Sequence, residues 1–244
     1  PLYRRLWLPA LRRMDRVIAN SRATRALALD AGIDAARIGV VHPGVALPAA
    51  PQSPDALRAF RERYGLGSAR VLLSIGRLTH RKGLREFVRE ALPGIVREAP
   101  DVVLAVIGAA PTDALLTGVQ SRDSIQAEAD AAGVGRHLRF LGVITDPQTL
   151  ACAYEAATLH VFPVRELPND PEGFGMVAIE AAAHGLPTVA YATGGVVDAV
   201  ADGVSGRLVA PGDATTFADA VLQLLATPLD EAGIRAFAGG FAWE

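Results

Sequence analysis

The sequence predicts an α/β fold: a doubly wound parallel sheet carrying a crevice at one edge. Three observations predict it. Apolar runs such as 71–75 (VLLSI), 102–107 (VVLAVI) and 159–162 (LHVF) have strand length but lack the alternation of a sheet with one wet face. Each run is followed by a segment with helical spacing. The glycines at Gly76, Gly108, Gly142, Gly173, Gly175, Gly194 and Gly195 fall where apolar runs end, the edge at which open α/β sheets bind ligands.

Residues 3–14 mix arginines with apolar residues at helical spacing, and Pro9 weakens a continuous helix. The expectation is a surface helix packing Leu6, Leu11 and Met14 on a domain; the alternative is a basic amphipathic helix on an anionic membrane. Residues 16–19 then read as a short buried strand. Asn20 and Ser21 cap a helix that runs to Ala31 and stops at Gly32. Residues 38–41 form another strand, left through the turn His42-Pro43-Gly44-Val45. The Pro- and Ala-rich stretch 46–55 is a linker.

From residue 55 the alternation is regular. A helix to 64 ends at Gly65 and Gly67, and strand 71–75 leads into the loop 76–83 (GRLTHRKG) and a helix to about 98. Pro100 and Asp101 turn the chain into strand 102–107, and a polar segment containing a helix runs to Gly133. Then follow strand 138–141, a helix near 147–157, strand 159–162, a central helix 174–184, strand 188–191, a helix near 195–202, strand 207–209 and helix 214–226.

Half of the 244 residues are apolar, enough for a full core. A formal charge of −2 excludes the electrostatic footprint of a nucleic-acid binder. Cys152, the single cysteine, excludes an internal disulfide and a thiolate metal cage, fits a reducing cytoplasm, and reads as a small buried helix residue. The longest apolar run, 102–111, is shorter than the roughly 20 residues that span a bilayer. No signal-peptide pattern opens the chain, and Pro1 in place of methionine reads as the start of a piece of a longer protein.

Chemistry concentrates in Pro171 to Glu180 (PEGFGMVAIE), followed by His184-Gly185-Leu186-Pro187 and the pair Gly194-Gly195. A strand, a glycine loop and a helix start in succession present bare backbone N–H groups to an anion. Glu172 and Glu180 are eight positions apart (180 − 172), about two helical turns, so both fit near the sheet edge without competing for one spot.

These residues resemble the donor-binding half of retaining glycosyltransferases of family four, which have the GT-B fold. That family carries two glutamates separated by seven residues, with Gly-Phe-Gly after the first. The loop 76–83 resembles its diphosphate-binding Gly-Arg-Leu…Lys-Gly loop, and Asp202-Gly203 to Gly206 with Pro211-Gly212-Asp213 resembles a further pattern. Residues 17–21 and 40–44 are similar to the end of its first domain and hinge. The hinge reads His42-Pro43-Gly44-Val45-Ala46 where the family has Pro-Asn-Gly-Val-Asp, and Asp198 stands where glutamate is commoner.

The resemblance implies three parts: 1–47, the end of an N-terminal, acceptor-side Rossmann-like domain and hinge; 48–238, a Rossmann-like nucleotide-sugar donor domain; and 239–244, the start of a truncated crossover segment announced by Phe241 and Trp243. It implies that Arg77 and Lys82 hold the leaving diphosphate, where cations stabilise the charge that builds as the glycosidic bond breaks. Glu172 would lie against the donor sugar, and the backbone of Phe174, Gly175, Met176 and Val177 would meet sugar hydroxyls or phosphate. Glu180 would hold the ribose hydroxyls, Gly76, Gly194 and Gly195 would shape the loops, and Val143 and Ile144 after Gly142 would pack the base. Arg81 and Arg85 are expected to be solvated loop residues and His160 and His184 to be structural; His80 is a loop residue for which contact with an anion is the alternative.

The implied reaction moves a sugar from a GDP- or UDP-linked donor to a glycan or lipid-linked acceptor, with retention of configuration. The route is same-face attack or, alternatively, a covalent intermediate on Glu172. No Asp-x-Asp pair and no His/Cys cluster has ligand spacing, so neither a metal nor a cofactor is expected. The loop 165–171 looks similar to that of bacterial mannosyltransferases with lipid acceptors, implying polysaccharide or glycolipid synthesis with peripheral contact at the cytoplasmic membrane face. This piece alone is expected to bind donor without catalysing. Two alternatives are weighed. A nucleotide-sugar 2-epimerase shares the fold but lacks the pattern that Glu172 and Gly175 complete. A non-catalytic partner-binding module would need an acidic phosphoacceptor cluster where these strand ends offer glycines and cations.

Overall fold

The computed structural model describes residues 2–111, 118–168 and 170–243, with side chains from Trp7 onward. A first unit holds helix α1 (Leu2–Leu11), strand β1 (Val17–Ala19), helix α2 (Arg22–Asp30) and strand β2 (Ile38–Val40). The larger unit opens with α3 (Pro54–Arg63), β3 (Arg70–Ile75), α4 (Leu84–Glu90), α5 (Leu92–Glu98), β4 (Val102–Ile107), α6 (Arg122–Ala131) and β5 (Leu138–Gly142). It continues through α7 (Pro147–Ala156), β6 (Leu159–Phe162), α8 (Met176–Ala183), β7 (Thr188–Tyr191), α9 (Val196–Ala199), β8 (Gly206–Val209), α10 (Ala214–Ala226) and α11 (Glu231–Gly239).

β1 and β2 pair in parallel, and the six remaining strands form one parallel sheet in the order β5-β4-β3-β6-β7-β8. The chain builds outward from β3 to β5, returns to place β6 on the other side of β3, and then builds outward again. The direction of winding therefore reverses between β3 and β6, the position where such sheets open a crevice.

The unbroken apolar runs are explained by cover on both faces. Leu72, Leu104, Leu159 and Val161 pack under Phe87, Leu92, Ile95 and Phe217 of α4, α5 and α10. On the opposite face Leu73, Ala105 and Ile107 meet Phe60 and Tyr154 of α3 and α7, while Phe162 and Ala190 meet Ile179 and Ile234 of α8 and α11. Each such side chain contributes about 1.5–3 kcal/mol when fully buried. Cys152 is buried on α7, as the sequence predicts.

Several elements depart from expectation. The helix expected to reach 98 is two, broken at Ala91, because Pro93 has no N–H to give to the carbonyl of Arg89. The central helix starts at Met176, two residues late, and the one near 195–202 is the single turn Val196–Ala199. α11 was not expected; Asp230 caps it and Ile234 and Ala238 face the core, but its glycines mask the helical pattern. β1 is covered only by α2, so Ile18 is 71% exposed where a buried strand was predicted.

α1 runs on through Pro9, yet Leu11 and Met14 stay exposed. The contact they were expected to make is made by arginines. Arg12 Nε donates to Ala31 O at 2.7 Å, and Arg37 Nη1 donates to Arg12 O and Met14 O, each at 3.0 Å. The expected packing of Leu6, and Asn169 within the 165–171 loop, lie outside the described residues and side chains. Among the described residues no helix is long and apolar enough to cross a membrane.

His160 sits in mid-β6 with no solvent exposure, its Nδ1 3.0 Å from Thr188 Oγ1. Burial, reinforced by the charge of Lys82, lowers its pKa to about 3. The unfolded chain takes up a proton near its ordinary value of 6.5 while the folded chain does not, so this residue's contribution to stability is complete above that value. It is lost as pH falls from 6.5 towards 3, at up to about 1.4 kcal/mol per pH unit. Denaturant unfolding between pH 6 and 4 should therefore show a shallower pH slope in His160→Gln than in wild type; identical slopes would contradict the assignment.

Candidate functional site

The site is assembled where β3 and β6 part. Past the end of β3, Gly76 N–H donates to Ile107 O at 2.9 Å, Leu78 N–H to Ala109 O at 2.9 Å, and Gly108 N–H to Gly142 O at 2.8 Å. The ends of β3, β4 and β5 are thus laced together beyond the sheet. A Cβ on Gly108 would stand 1.9 Å from Gly76 O, so only glycine allows this approach. The loop tightens into a 3-10 turn, His80–Lys82, and closes on Pro163, whose carbonyl lies where a Cβ of Gly83 would be.

This closure delivers Lys82 over the end of β6. Its Nζ is 4.7 Å from the centre of the Phe162 ring and 2.7 Å from Glu172 Oε2. Burial lowers the Lys82 pKa, opposed by Glu172 and aided by the charges of Arg81 and Arg77. Arg81 is the first surprise. Expected to be solvated, it is only 8% exposed, and it pairs with the same Glu172 oxygen while its Nε lies 3.2 Å from Asp170. A basic loop reads as a solvent-facing one in sequence, and the folding-back of the loop onto β6 is what reverses this. Arg85 is half-exposed, with Glu86 at 3.8 Å and Glu128 at 4.0 Å.

Arg77 is exposed and makes no ion pair among the described residues. It lines a small pocket with Ser74, Gly76, Lys82 and Phe162. A wider groove opens on the α4 side, touching this site at Gly83 and Pro163 and lined by Arg85, Glu86, Arg165 and Tyr191. Within it Arg165 bridges His80 and Glu86, so His80 is engaged by protein groups.

The loop before α8 packs on the loop before α9. Gly195 N–H donates to Glu172 O at 2.8 Å, and a Cβ on Gly195 would lie 2.0 Å from Gly173 O. α8 itself begins at Gly175 in the left-handed conformation (φ +99°) without a side-chain cap. The helices α2, α3, α6, α7, α10 and α11 all begin with a Ser or Asp cap. The N–H groups of Phe174, Gly175, Met176 and Val177 have no acceptor among the described residues. An uncapped helix start with its positive dipole end is an anion site.

Glu180 is the polar residue of an otherwise apolar α8, and its Oε2 accepts from Tyr154 Oη at 2.7 Å. Burial, with Glu180 alongside, pushes the Tyr154 pKa well above its ordinary value, so the hydroxyl remains a donor. Tyr154 stacks on His184 at 5.1 Å, and His184 Nδ1 lies 3.0 Å from Glu155 Oε1. No local spacing announces Tyr154, which meets Glu180 across two helices. Val143 is exposed and Ile144 packs partly into the α3/α7 core, both beyond the end of β5.

The structure thus brings together Lys82, Glu172, the 173–177 backbone and the Gly194-Gly195 loop. Arg77 lines the small pocket beside Lys82, Glu180 lies further along α8, and the Val143–Ile144 edge follows β5. Among the described residues no three His, Cys, Asp or Glu side chains are grouped to hold a metal.

The family model for glycosyl transferases group 1 matches residues 69–227, and that for glycosyltransferase family 4 matches residues 1–47. The chain belongs to this glycosyltransferase family and has its GT-B architecture. It is 35% identical over 225 residues to a GDP-mannose-dependent alpha-(1-6)-phosphatidylinositol monomannoside mannosyltransferase of Mycolicibacterium smegmatis, covering 90% of this chain and 56% of that protein. It is 36% identical over 236 residues to a D-inositol 3-phosphate glycosyltransferase of Geodermatophilus obscurus, covering 94% of this chain and 50% of that one. Among solved structures it matches Anabaena Alr3699/HepE in complex with UDP at 25% identity and a TM-score of 0.83, over 99% of this chain and 64% of that chain. The chain spans about half the length of these two curated relatives.

Arg81→Met leaves Asp170 and part of the Glu172 charge without a buried cation. Denaturant unfolding should show a loss of about 1–3 kcal/mol, against less than about 0.5 kcal/mol for the exposed Arg77→Met. Equal, small losses would return Arg81 to the class of solvated loop residues.

Proposed function

We propose that this chain supplies the donor site of a retaining glycosyltransferase. The enzyme moves a hexose from a GDP- or UDP-linked donor to a glycan or lipid-linked acceptor without a divalent metal. The observation that carries this reading is the delivery of Lys82 to 2.7 Å from Glu172, beside the bare N–H groups at the start of α8. On this reading 1–47 closes an acceptor-side domain, 48–238 binds donor, and 239–244 begins the return crossover. Support for the last comes from the tail meeting the hinge: Val45 N–H donates to Phe241 O at 2.7 Å and Trp243 N–H to Val45 O at 3.2 Å.

The chemistry follows from charge. As the glycosidic bond breaks, negative charge builds on the departing diphosphate, and Arg77 and Lys82 stabilise it more than they stabilise the bound donor. Arg77 is free to grip phosphate oxygens in two-pronged fashion. Donor binding exchanges partners at Lys82, from Glu172 to phosphate, and leaves Glu172 to the sugar. A carboxylate that Arg81 still holds is a stabilised anion and a poor nucleophile, which favours same-face attack over a covalent intermediate. Glu180 offers its second oxygen to a ribose hydroxyl, the Val143–Ile144 edge takes the base, and Gly76, Gly194 and Gly195 keep the walls close. The names of the relatives support both a GDP-linked donor and an inositol-containing or lipid acceptor.

Calorimetric titration of the full-length protein with GDP, UDP and ADP in EDTA tests this. One nucleotide should bind, and Lys82→Ala should weaken it about tenfold or more, 1.4 kcal/mol. Unchanged affinity in that variant would remove Lys82 from the diphosphate site, and a requirement for metal would remove metal independence.

Tyr154→Phe frees the Glu180 carboxylate. It should weaken the preferred nucleotide several-fold while leaving its 2′,3′-dideoxy analogue unaffected; equal weakening of both would make Tyr154 a purely structural residue.

A further inference from the structure

Asp198 lies on α9, one residue triplet beyond Gly195, whose carbonyl accepts its N–H at 3.1 Å. Its carboxylate has no solvent exposure, and among the described residues every group that donates to it comes from the first 47. Arg22 N–H reaches Oδ2 at 2.7 Å, Arg22 Nε reaches Oδ1 at 2.6 Å, and His42 Nε2 lies 3.1 Å from Oδ2. Withdrawing a carboxylate from water costs several kcal/mol unless its oxygens are paired. Burial would raise its pKa, yet the bonds from Arg22 and His42 bring it below the ordinary value. Arg22 is also the first residue of α2, so Asp198 places its charge at the positive end of that helix.

The same elements hold the loop in front of α8. Thr24 Oγ1 lies 3.4 Å from Gly173 O, and Asn20 packs so closely that a Cβ on Gly173 would be 3.1 Å from Asn20 Nδ2. His42 stacks on Phe174 with ring centres 5.3 Å apart and planes at 21°, and its other neighbour is Phe241 of the tail, at 5.5 Å. From the opposite side, Gly195 N–H ties down Glu172 O at 2.8 Å. Residues 172–174 are therefore gripped between α9 and the first unit, and Asp198 joins the two jaws directly.

We propose that Asp198 is a positioning residue that couples the seating of α2 and the hinge to the conformation of the 172–174 loop, and through it to Glu172 and Lys82. This rests on the reading of the chain as a donor site joined to an acceptor-side domain. Its consequence is reciprocal: a nucleotide that orders the donor loop must also order the start of α2, by the same coupling free energy.

Hydrogen exchange of the full-length protein, with and without saturating GDP or UDP, reads the coupling. In wild type the nucleotide should slow exchange about tenfold at amides 172–177 and also at 22–25. In Asp198→Asn protection at 172–177 should remain and protection at 22–25 should be lost, whereas Asp198→Glu, which restores the carboxylate, should recover it. Should Asp198→Asn fold poorly, Arg22→Ala removes one donor from an exposed side chain and should give the same partial loss. Protection at 22–25 that persists in these variants, or that is absent from wild type while 172–177 is protected, would overturn the coupling alone. No protection at 172–177 with any nucleotide would instead overturn the donor-site reading on which it rests.

Discussion

Between β3 and β6 the sheet changes its direction of winding, and two connections leave the same edge side by side. At two points in the gap between them, backbone packs directly on backbone. The Gly83 turn presses against the Pro163 carbonyl, and Gly195 against that of Gly173. With no side chains to keep them apart, the loops approach closely enough for Lys82 and Arg81 to reach one oxygen of Glu172. That shared carboxylate is the contact on which the site depends. It pairs with two largely buried cations, and it fixes the start of the stretch leading into α8.

Seen from this contact, the rest of the larger unit is support. α4, α5 and α10 cover one face and α3, α7, α8 and α11 the other, so β3 and β6 cannot shift without disturbing a packed core. The laced ends of β3, β4 and β5 hold the 76–83 loop in place. A site whose polar groups are fixed in advance loses less on binding than one that must order them.

How much of this was legible depended on how local the signal was. β4 and β6 keep their expected bounds, because a strand buried on both faces writes an uninterrupted apolar run. The glycine loops were legible because their place at run ends is a matter of order along the chain. The break at Ala91 was signalled by Pro93 but outweighed by the surrounding helical pattern. Arg81 was misread and Tyr154 passed over for one reason. Each takes its role from a partner 91 and 26 residues away, and no local period encodes such distances. Asp198 was noticed only as a departure from a pattern; that its partners were Arg22 and His42 needed the first unit folded against α9.

The missing cap on α8 carries a cost and a return. A serine or aspartate cap stabilises a helix by only about a few tenths of a kcal/mol more than a glycine, and Gly175 forgoes that much. On the proposed donor-site reading, an oxyanion seated on those N–H groups would add to that stability and link the folded state to occupancy by mass action. On that reading the empty protein is the less stable one, and its melting temperature would gauge how much of it is loaded.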